Sequence, residues 1–242
     1  MLQGSYTFFN VSWTQNFNSI QQNVLIDPNT GIRTSFYENL EDHVSNSMNF
    51  WGITSFDLVK NYQIKAEGGG NASFNQYYNY INGALNENQS INWGLSLTAR
   101  KSTTKNLDFS LSLSPGWRTL SNSLQPEFNS SGFVMNSYST YSWHLPQKIT
   151  VYGTLNYNYE APTEAFNEKF ERVLFHPGVR KKFLANESLV VDLSVNDLFN
   201  ENIGFRRFQS GNMIQQNTYN TISRYFMVKV SWDFTSMGGG AN

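Results

Sequence analysis

The chain has 242 residues and a net charge of -1, with 17 Lys and Arg against 18 Asp and Glu. This balance gives no basic footprint for nucleic acid, and the absence of cysteine excludes disulfides and cysteine-based metal sites. Charged residues make up only 14% of the chain, whereas an ordinary soluble domain carries about 25%. No stretch approaches about 18 consecutive apolar residues, so a transmembrane helix is not predicted.

Apolar and polar residues alternate with a period of two along most of the chain, which predicts strands with one apolar and one polar face. No segment shows a helical period, so the predicted fold class is all-β. We predict about eleven strands, with a further hairpin within 200–220. They lie near 5–25, 30–39, 45–60, 62–80, 89–104, 107–122, 132–145, 148–160, 169–185, 188–204 and 221–235.

The predicted connections alternate between short turns and long loops. The turns are predicted at 28–31, Lys60-Asn61, Lys105-Asn106, Pro146-Gln147 and Asn186-Glu187, and the loops around 81–88, 123–131, 161–168 and 205–220. This alternation is typical of outer-membrane β-barrels. A soluble β-sandwich, β-helix or propeller is the alternative, but its strands are usually shorter and its wet face carries more charge. Within the fourth strand, Gly68-Gly69-Gly70 predicts a bend or bulge.

The alternation in the last strands assigns residues to the membrane or to the lumen. The predicted membrane-facing residues are Leu189, Val191, Leu193, Val195, Phe226, Val228, Val230, Trp232 and Phe234. The predicted lumen-facing residues are Asp192, Ser194, Asn196, Lys229, Ser231 and Asp233. Neutral polar side chains on the lumen side suit a water-filled passage, or a carbohydrate-like or peptide-like cargo.

Catalytic and metal chemistry is not favoured. His43, His144 and His176 have no metal-ligand spacing, so no metal or cofactor is predicted. Ser142 and His144 share a strand face, but residues two apart are spaced about 7 Å along a strand, which makes hydrogen-bond reach marginal. The acidic run from Glu160 to Glu171 is best interpreted as a solvated loop. The basic cluster at 180–182 is interpreted as strand-end charge, with lipid headgroups or a plug as the alternative contacts.

The C-terminal part of the chain also carries a recognisable order of motifs. Asn196-Asp197-Leu198-Phe199-Asn200 is followed by a terminal run from Arg224 to Phe234, and both come after Trp143-His144-Leu145-Pro146. This order resembles the end of the outer membrane β-barrel family related to TonB-dependent transporters, common in Bacteroidetes-type bacteria. The first motif resembles the penultimate strand of that family, and the terminal run resembles its closing strand.

The resemblance implies an antiparallel up-and-down transmembrane barrel of about 22 strands in the cell outer membrane, occluded by an N-terminal plug. About 11–12 of those strands would lie in residues 1–236, followed by a flexible tail at 237–242. The resemblance further implies outer-membrane lipids, the barrel assembly machinery, upstream plug and barrel segments, and TonB as partners. Because the first residues do not form a signal peptide, we expect that signal and those upstream segments to lie outside this chain.

The expected function is TonB-dependent import of a bulky nutrient, a small or oligomeric cargo that the sequence does not name. One alternative is a passive pore or adhesive barrel. The other is a small outer-membrane enzyme of the phospholipase or protease type, although we expect no enzyme. The physical reason to expect a segment of a larger barrel is that a sheet of half the size leaves two open edges. In lipid, each unpaired backbone group at such an edge costs several kcal/mol.

Overall fold

The protein consists almost entirely of antiparallel β-strands, described here in a computed structural model for residues 5–103, 106–210 and 213–234. These ranges contain fourteen strands. They are β1 (Tyr6–Asn16), β2 (Ser19–Ile26), β3 (Arg33–Leu40), β4 (Ser45–Val59), β5 (Ile64–Ile81), β6 (Ala84–Lys101), β7 (Leu107–Asn122), β8 (Ser130–Leu145), β9 (Ile149–Glu160), β10 (Phe170–Phe183), β11 (Leu189–Asn196), β12 (Gly204–Ser210), β13 (Met213–Tyr219) and β14 (Tyr225–Trp232). None of the helical turns in the described ranges is long and apolar enough to cross a membrane.

The main sheet follows the order β1-β4-β5-β6-β7-β8-β9-β10-β11-β14. All neighbours on this path pair antiparallel, so the predicted all-β, up-and-down architecture is confirmed. Two hairpins are inserted into it: β2 and β3 lie between β1 and β4 in sequence, and β12 and β13 lie between β11 and β14. Within the described ranges β1 and β14 do not pair with each other, so the sheet is open.

The connections define two ends of the sheet. At the turn end lie the reversals at 60–63, 146–148 and 184–188, together with the end of β6 at Lys101 and the start of β7 at Leu107. At the loop end lie the β2–β3 hairpin, the loops at 123–129 and 161–169, and the β12–β13 hairpin. The predicted turns at the turn end are confirmed, except that Lys105 lies outside the described residues. The predicted hairpin within 200–220 is also confirmed.

Three predictions about the connections are wrong. The expected loop at 81–88 is a turn of two residues, because Asn82 and Gly83 adopt positive φ of 50° and 78° and allow β5 and β6 to pair as far as Ile81 and Ala84. The expected strand 5–25 is interrupted between β1 and β2, where Asn18 has a φ of 51°. The turn predicted at 28–31 is present, but it lies at the tip of the β2–β3 hairpin and therefore at the loop end, not with the short turns of the turn end.

Residues that lie directly opposite each other in the antiparallel pairs point to the same face of the sheet. One face, the apolar face, carries rows such as Leu189, Val191 and Leu193 opposite Trp232, Val230 and Val228. The other, the polar face, carries rows such as Thr98 opposite Ser112 and Asn136 opposite Asn158. Two-sided strands of up to 18 residues are therefore the organising feature of the sheet.

The protein has almost no interior of the kind that soluble domains have. Among the described residues, the only buried hydrophobic side chains are Val24, Leu40 and Ile81. Val24 and Ile81 pair where β2 meets the loop end of β5, and Leu40 lies opposite Ser19 at the start of β2. Large apolar residues on the apolar face are exposed instead, as Phe226 and Val228 are at 73% and 69%. A sheet that leaves such side chains uncovered requires an apolar solvent on that face.

The predicted bend at Gly68-Gly69-Gly70 is wrong. These residues pair in unbroken register with β4 on one side and β6 on the other. The irregularity in this part of the sheet lies instead at Asp57 and Val59 of β4. Of the three glycines, Gly69 is the one that has no room for a side chain, because a Cβ there would lie 2.8 Å from the carbonyl oxygen of Gly52.

Candidate functional site

The register separates the two residue sets that the sequence assigned to β11 and β14. The strand residues of the predicted membrane-facing set share the apolar face, and those of the predicted lumen-facing set share the polar face. Asp192 lies directly opposite Lys229, and Ser194 lies opposite Met227. Asp233 and Phe234 follow the end of β14, where the Asp233 amide donates to the carbonyl oxygen of Ser188 at 2.8 Å. The assignment of these faces to membrane and lumen stays a prediction.

A charged cluster surrounds Asp192 on the polar face. Arg180 Nε donates to Asp192 Oδ2 at 2.7 Å, and the Tyr152 hydroxyl donates to Asp192 Oδ1 at 2.5 Å. The guanidinium carbon of Arg180 lies 5.1 Å from the centre of the Tyr152 ring. This ring covers Gly178 on the next strand so closely that a Cβ at Gly178 would collide with it. The cluster therefore ties β9, β10 and β11 together.

The three histidines lie in separate environments. The ring nitrogens of His144 lie 3.3 Å from Thr150 Oγ1 and 3.4 Å from Asp108 Oδ2, whereas Ser142 lies opposite Asp108 in the neighbouring strand. His43 packs against Tyr78 with ring centroids 5.1 Å apart. His176 Nδ1 accepts a hydrogen bond from the amide of Asp197 at 3.0 Å. No group of three metal-ligating side chains forms within the part of the chain that is described.

The Asn196-Asp197-Leu198-Phe199-Asn200 motif forms a clasp at the end of β11. Asp197 is fully buried, and its carboxylate accepts hydrogen bonds from the amides of Glu201 and Asn202 at 3.0 and 2.9 Å. The amide of Arg224 donates to Asn200 Oδ1 at 3.1 Å, and the Arg224 guanidinium donates to the carbonyl oxygen of Leu198. The motif therefore fixes both ends of the segment that carries the β12–β13 hairpin.

A cavity of about 370 Å³ opens on the polar face near the loop end. Its floor is formed by neighbouring strands from β5 to β9. Polar side chains of the floor include Tyr77, Ser90, Asn92, Arg118 and Glu160. Convergent polar groups in a concave site are the usual signature of a ligand-binding site, so this cavity is the candidate functional site.

The loop at 161–169 forms one wall of the cavity because it folds back onto the sheet. The Ala161 amide donates to the carbonyl oxygen of Phe133 at 2.8 Å. Thr163 Cγ2 occupies the space over Gly132, only 2.8 Å from where a Cβ at Gly132 would lie. The loop can pack closely against β8 here because residue 132 is a glycine.

Arg207 of β12 closes the cavity from the other side. Its guanidinium carbon lies 4.7 and 5.0 Å from the ring centres of Phe166 and Phe205. The same group donates to the carbonyl oxygen of Glu168 at 2.8 Å and to Gln216 Oε1 at 3.3 Å, so two rings and two acceptors engage it. Arg207 thus holds the loop and the β12–β13 hairpin together.

At the end of the same loop, Lys169 Nζ lies 2.7 Å from the carboxylate of Glu171, and this hydrogen bond raises the pKa of Lys169.

Two charged side chains of the cavity are not engaged in this way. Among the described residues, Arg118 and Glu160 make no hydrogen bond or ion pair through their side chains. They lie on β7 and β9 and are separated by β8, where Gly132 is opposite Arg118 and Val134 is opposite Glu160. Within the described part of the chain, the cavity therefore offers one cation and one anion without a side-chain partner, Arg118 and Glu160, besides the engaged Arg207.

Sequence reasoning did not identify this cavity. Glu160 was interpreted as part of a solvated acidic loop, but it is the last residue of β9 and lines the cavity. Arg118 is one of the alternate residues that form the polar side of the predicted strand 107–122. A charged residue among them is the one sequence signal that could have pointed to the cavity. The position of Thr163 over Gly132 joins residues about thirty positions apart, which alternation alone does not predict.

An open antiparallel sheet with an exposed apolar face, a polar face and alternating turns and loops defines an outer-membrane β-barrel protein. The sequence profile of the outer membrane protein beta-barrel family matches residues 85–232, more than half of the chain. The chain therefore belongs to this family and is located in the outer membrane. No curated protein and no solved structure matches it.

Proposed function

We propose that this chain forms part of the wall of a TonB-dependent transporter-like protein that imports a bulky nutrient. The main support for this proposal is the cavity on the polar face, which the unpaired Arg118 and Glu160 line near the loop end. In outer-membrane barrels the long loops face the exterior and the short turns face the periplasm. A binding site near the loops is therefore placed where a transporter first captures its cargo.

The open sheet supports a wall that extends beyond the described strands. Every residue of β1 and of β14 is exposed, and each strand has one unpaired edge. Because unpaired backbone groups in lipid cost several kcal/mol each, both edges require strand partners. We propose that further barrel strands of the same protein supply them, together with a plug and a TonB-contacting segment as partners, and that the barrel assembly machinery inserts the whole.

A disulfide test separates this arrangement from closure of the chain on itself. In a closed ten-stranded barrel with strands tilted by about 40°, the strand registers would place Val11 opposite Val230. The double variant Val11→Cys with Val230→Cys is expected to form no disulfide in the membrane-embedded protein. A high yield of the intramolecular disulfide would show a small closed barrel and would overturn the proposed larger wall.

Energised uptake tests the transport proposal itself. Cells that produce the intact protein are given labelled short peptides and oligosaccharides, with and without an uncoupler of the proton gradient. We expect accumulation that stops when the uncoupler is added and that falls in the Arg118→Gln variant. Uptake that is unchanged by the uncoupler would indicate a passive pore instead.

We further propose that the protein is not a hydrolase. Both ring nitrogens of His144 lie near Thr150 and Asp108, which leaves neither of them for Ser142. The contacts of His144 with Asp108 and Thr150 are better explained as polar contacts that join β7, β8 and β9 on the polar face. Phospholipase or peptidase activity that is present in the purified protein and lost in Ser142→Ala or His144→Ala would contradict this.

A further inference from the structure

We propose that the cavity on the polar face binds short peptides with free termini, the peptide carboxylate pairing with Arg118 and the peptide amino group with Glu160. This inference rests on the proposed function and names the substrate class of that same site. It comes from the two unpaired charges of opposite sign, which the rest of the cavity does not neutralise. A guanidinium can bind a carboxylate with two parallel hydrogen bonds, and a carboxylate is an acceptor for an ammonium group.

The spacing of the two charges suits a small ligand with charges at both ends. Arg118 and Glu160 are two strands apart and are offset by one step of two residues, since their partners on β8 are Gly132 and Val134. With strands about 4.8 Å apart and a rise of about 3.3 Å per residue, their Cα atoms are roughly 12 Å apart. Two extended side chains could approach each other over this distance, yet they form no ion pair.

The loop at 161–169 explains why the two charges stay apart. Thr163 occupies the space over Gly132, on the strand between Arg118 and Glu160. The neighbouring positive charge, Arg172, donates to Asn158 Oδ1 at 3.1 Å and does not neutralise Glu160. The loop therefore keeps the cation and the anion separated, so that a ligand has to bridge them.

The remaining lining offers contacts to the middle and the side chains of a short peptide. Val134 of β8 lies between the two charged strands and, with Phe166 of the loop, offers apolar contact. Asn92 and Ser90 lie on β6, on the other side of Arg118, and offer an amide and a hydroxyl to a polar group of the ligand. A neutral oligosaccharide would use the amide and hydroxyl groups but would form an ion pair with neither charge. The charge pattern therefore favours a zwitterion over a neutral sugar.

The test measures binding of trialanine, trialanine amide and N-acetyl-trialanine to the purified intact protein by calorimetry. Trialanine is expected to bind roughly ten- to a hundredfold more tightly than either blocked form, because each block removes one charged hydrogen-bonded pair. Arg118→Gln should abolish the preference for the free carboxylate but keep the preference for the free amino group. Glu160→Gln should do the reverse.

Arg100→Gln is the matched control, because Arg100 is on the polar face of β6 and pairs with Glu67 outside the cavity. This variant should leave all three affinities unchanged. Equal binding of the free and blocked peptides by the unsubstituted protein, no binding at all, or equal losses in all three variants would overturn the inference. If the peptide inference fails but another cargo is taken up with energy, the transport proposal still holds. If peptides bind selectively but are not taken up with energy, the transport proposal fails and the peptide inference holds.

Discussion

The two ends of the sheet are stabilised in different ways. At the loop end, Asn86, Asn88 and Asn122 are almost completely buried. Asn86 and Asn88 both donate to Asn79 Oδ1, and Asn122 donates to Asn88 Oδ1. At the turn end, Glu187 forms exposed ion pairs with Lys182 and Lys148 at 2.7 and 3.4 Å. Buried hydrogen bonds are costly to break, whereas exposed ion pairs contribute little. The loop end, with its candidate binding site, should therefore be the end that depends most on single side chains.

The largest effect is expected from Asp197→Ala in the clasp. This change removes the acceptor for the amides of Glu201 and Asn202 and should lower the free energy of unfolding by about 1–3 kcal/mol. Asp197→Asn should cost less, because asparagine keeps one acceptor oxygen and tolerates the positive φ of 55° at this position. Urea unfolding in phospholipid vesicles measures both. Equal stability of all three proteins would show that the clasp is not a stabilising element.

A smaller loss is expected from Asn86→Ala. Asn86 Oδ1 accepts from the amide of Leu124 and from Ser123 Oγ, and its Nδ2 donates to Asn79. Removing it should lower stability by about 1 kcal/mol and should make the loop at 123–129 more sensitive to protease. Asn136→Ala is the control, since its bond with Asn158 is exposed. If the two variants are cleaved at the same rate, the buried network does not hold the loop.

The smallest effect is expected at the turn end, from Glu187→Gln. The hydrogen bond and charge of Lys182 lower the pKa of the exposed Glu187 carboxyl from its ordinary value of 4.5. A lowered pKa stabilises the folded state above the unfolded pKa, and this contribution is lost as the pH falls through the lowered value. Stability of the variant should therefore match that of the parent at neutral pH within the error of urea unfolding, and any difference should vanish in acid. A large loss at neutral pH would refute the contrast between the two ends.

Much of the fold could be predicted from the sequence, because alternation is a local property. The strands from β4 to β10 begin and end within five residues of the predicted ranges, and the second inserted hairpin was predicted within 200–220. The predicted strand 188–204 is too long, because β11 ends at Asn196 and the chain turns at Asp197. The position of the β2–β3 hairpin could not be predicted, because it depends on a bridge between Val24 and Ile81. For the same reason the candidate site was missed: Arg118, Gly132 and Glu160 meet only through the register of three strands.

The central claim is that the apolar face lies against lipid and the polar face does not, and tryptophan quenching tests it most directly. Trp143 lies on the apolar face opposite Leu107 and Val151, whereas Trp51 lies on the polar face opposite Asn71. Single-tryptophan variants, with phenylalanine at the other five positions, would be reconstituted with phospholipids that carry brominated acyl chains. The fluorescence of Trp143 should be strongly quenched and that of Trp51 should not. Equal quenching of the two, or stronger quenching of Trp51, would contradict the membrane orientation on which the proposed transport function depends.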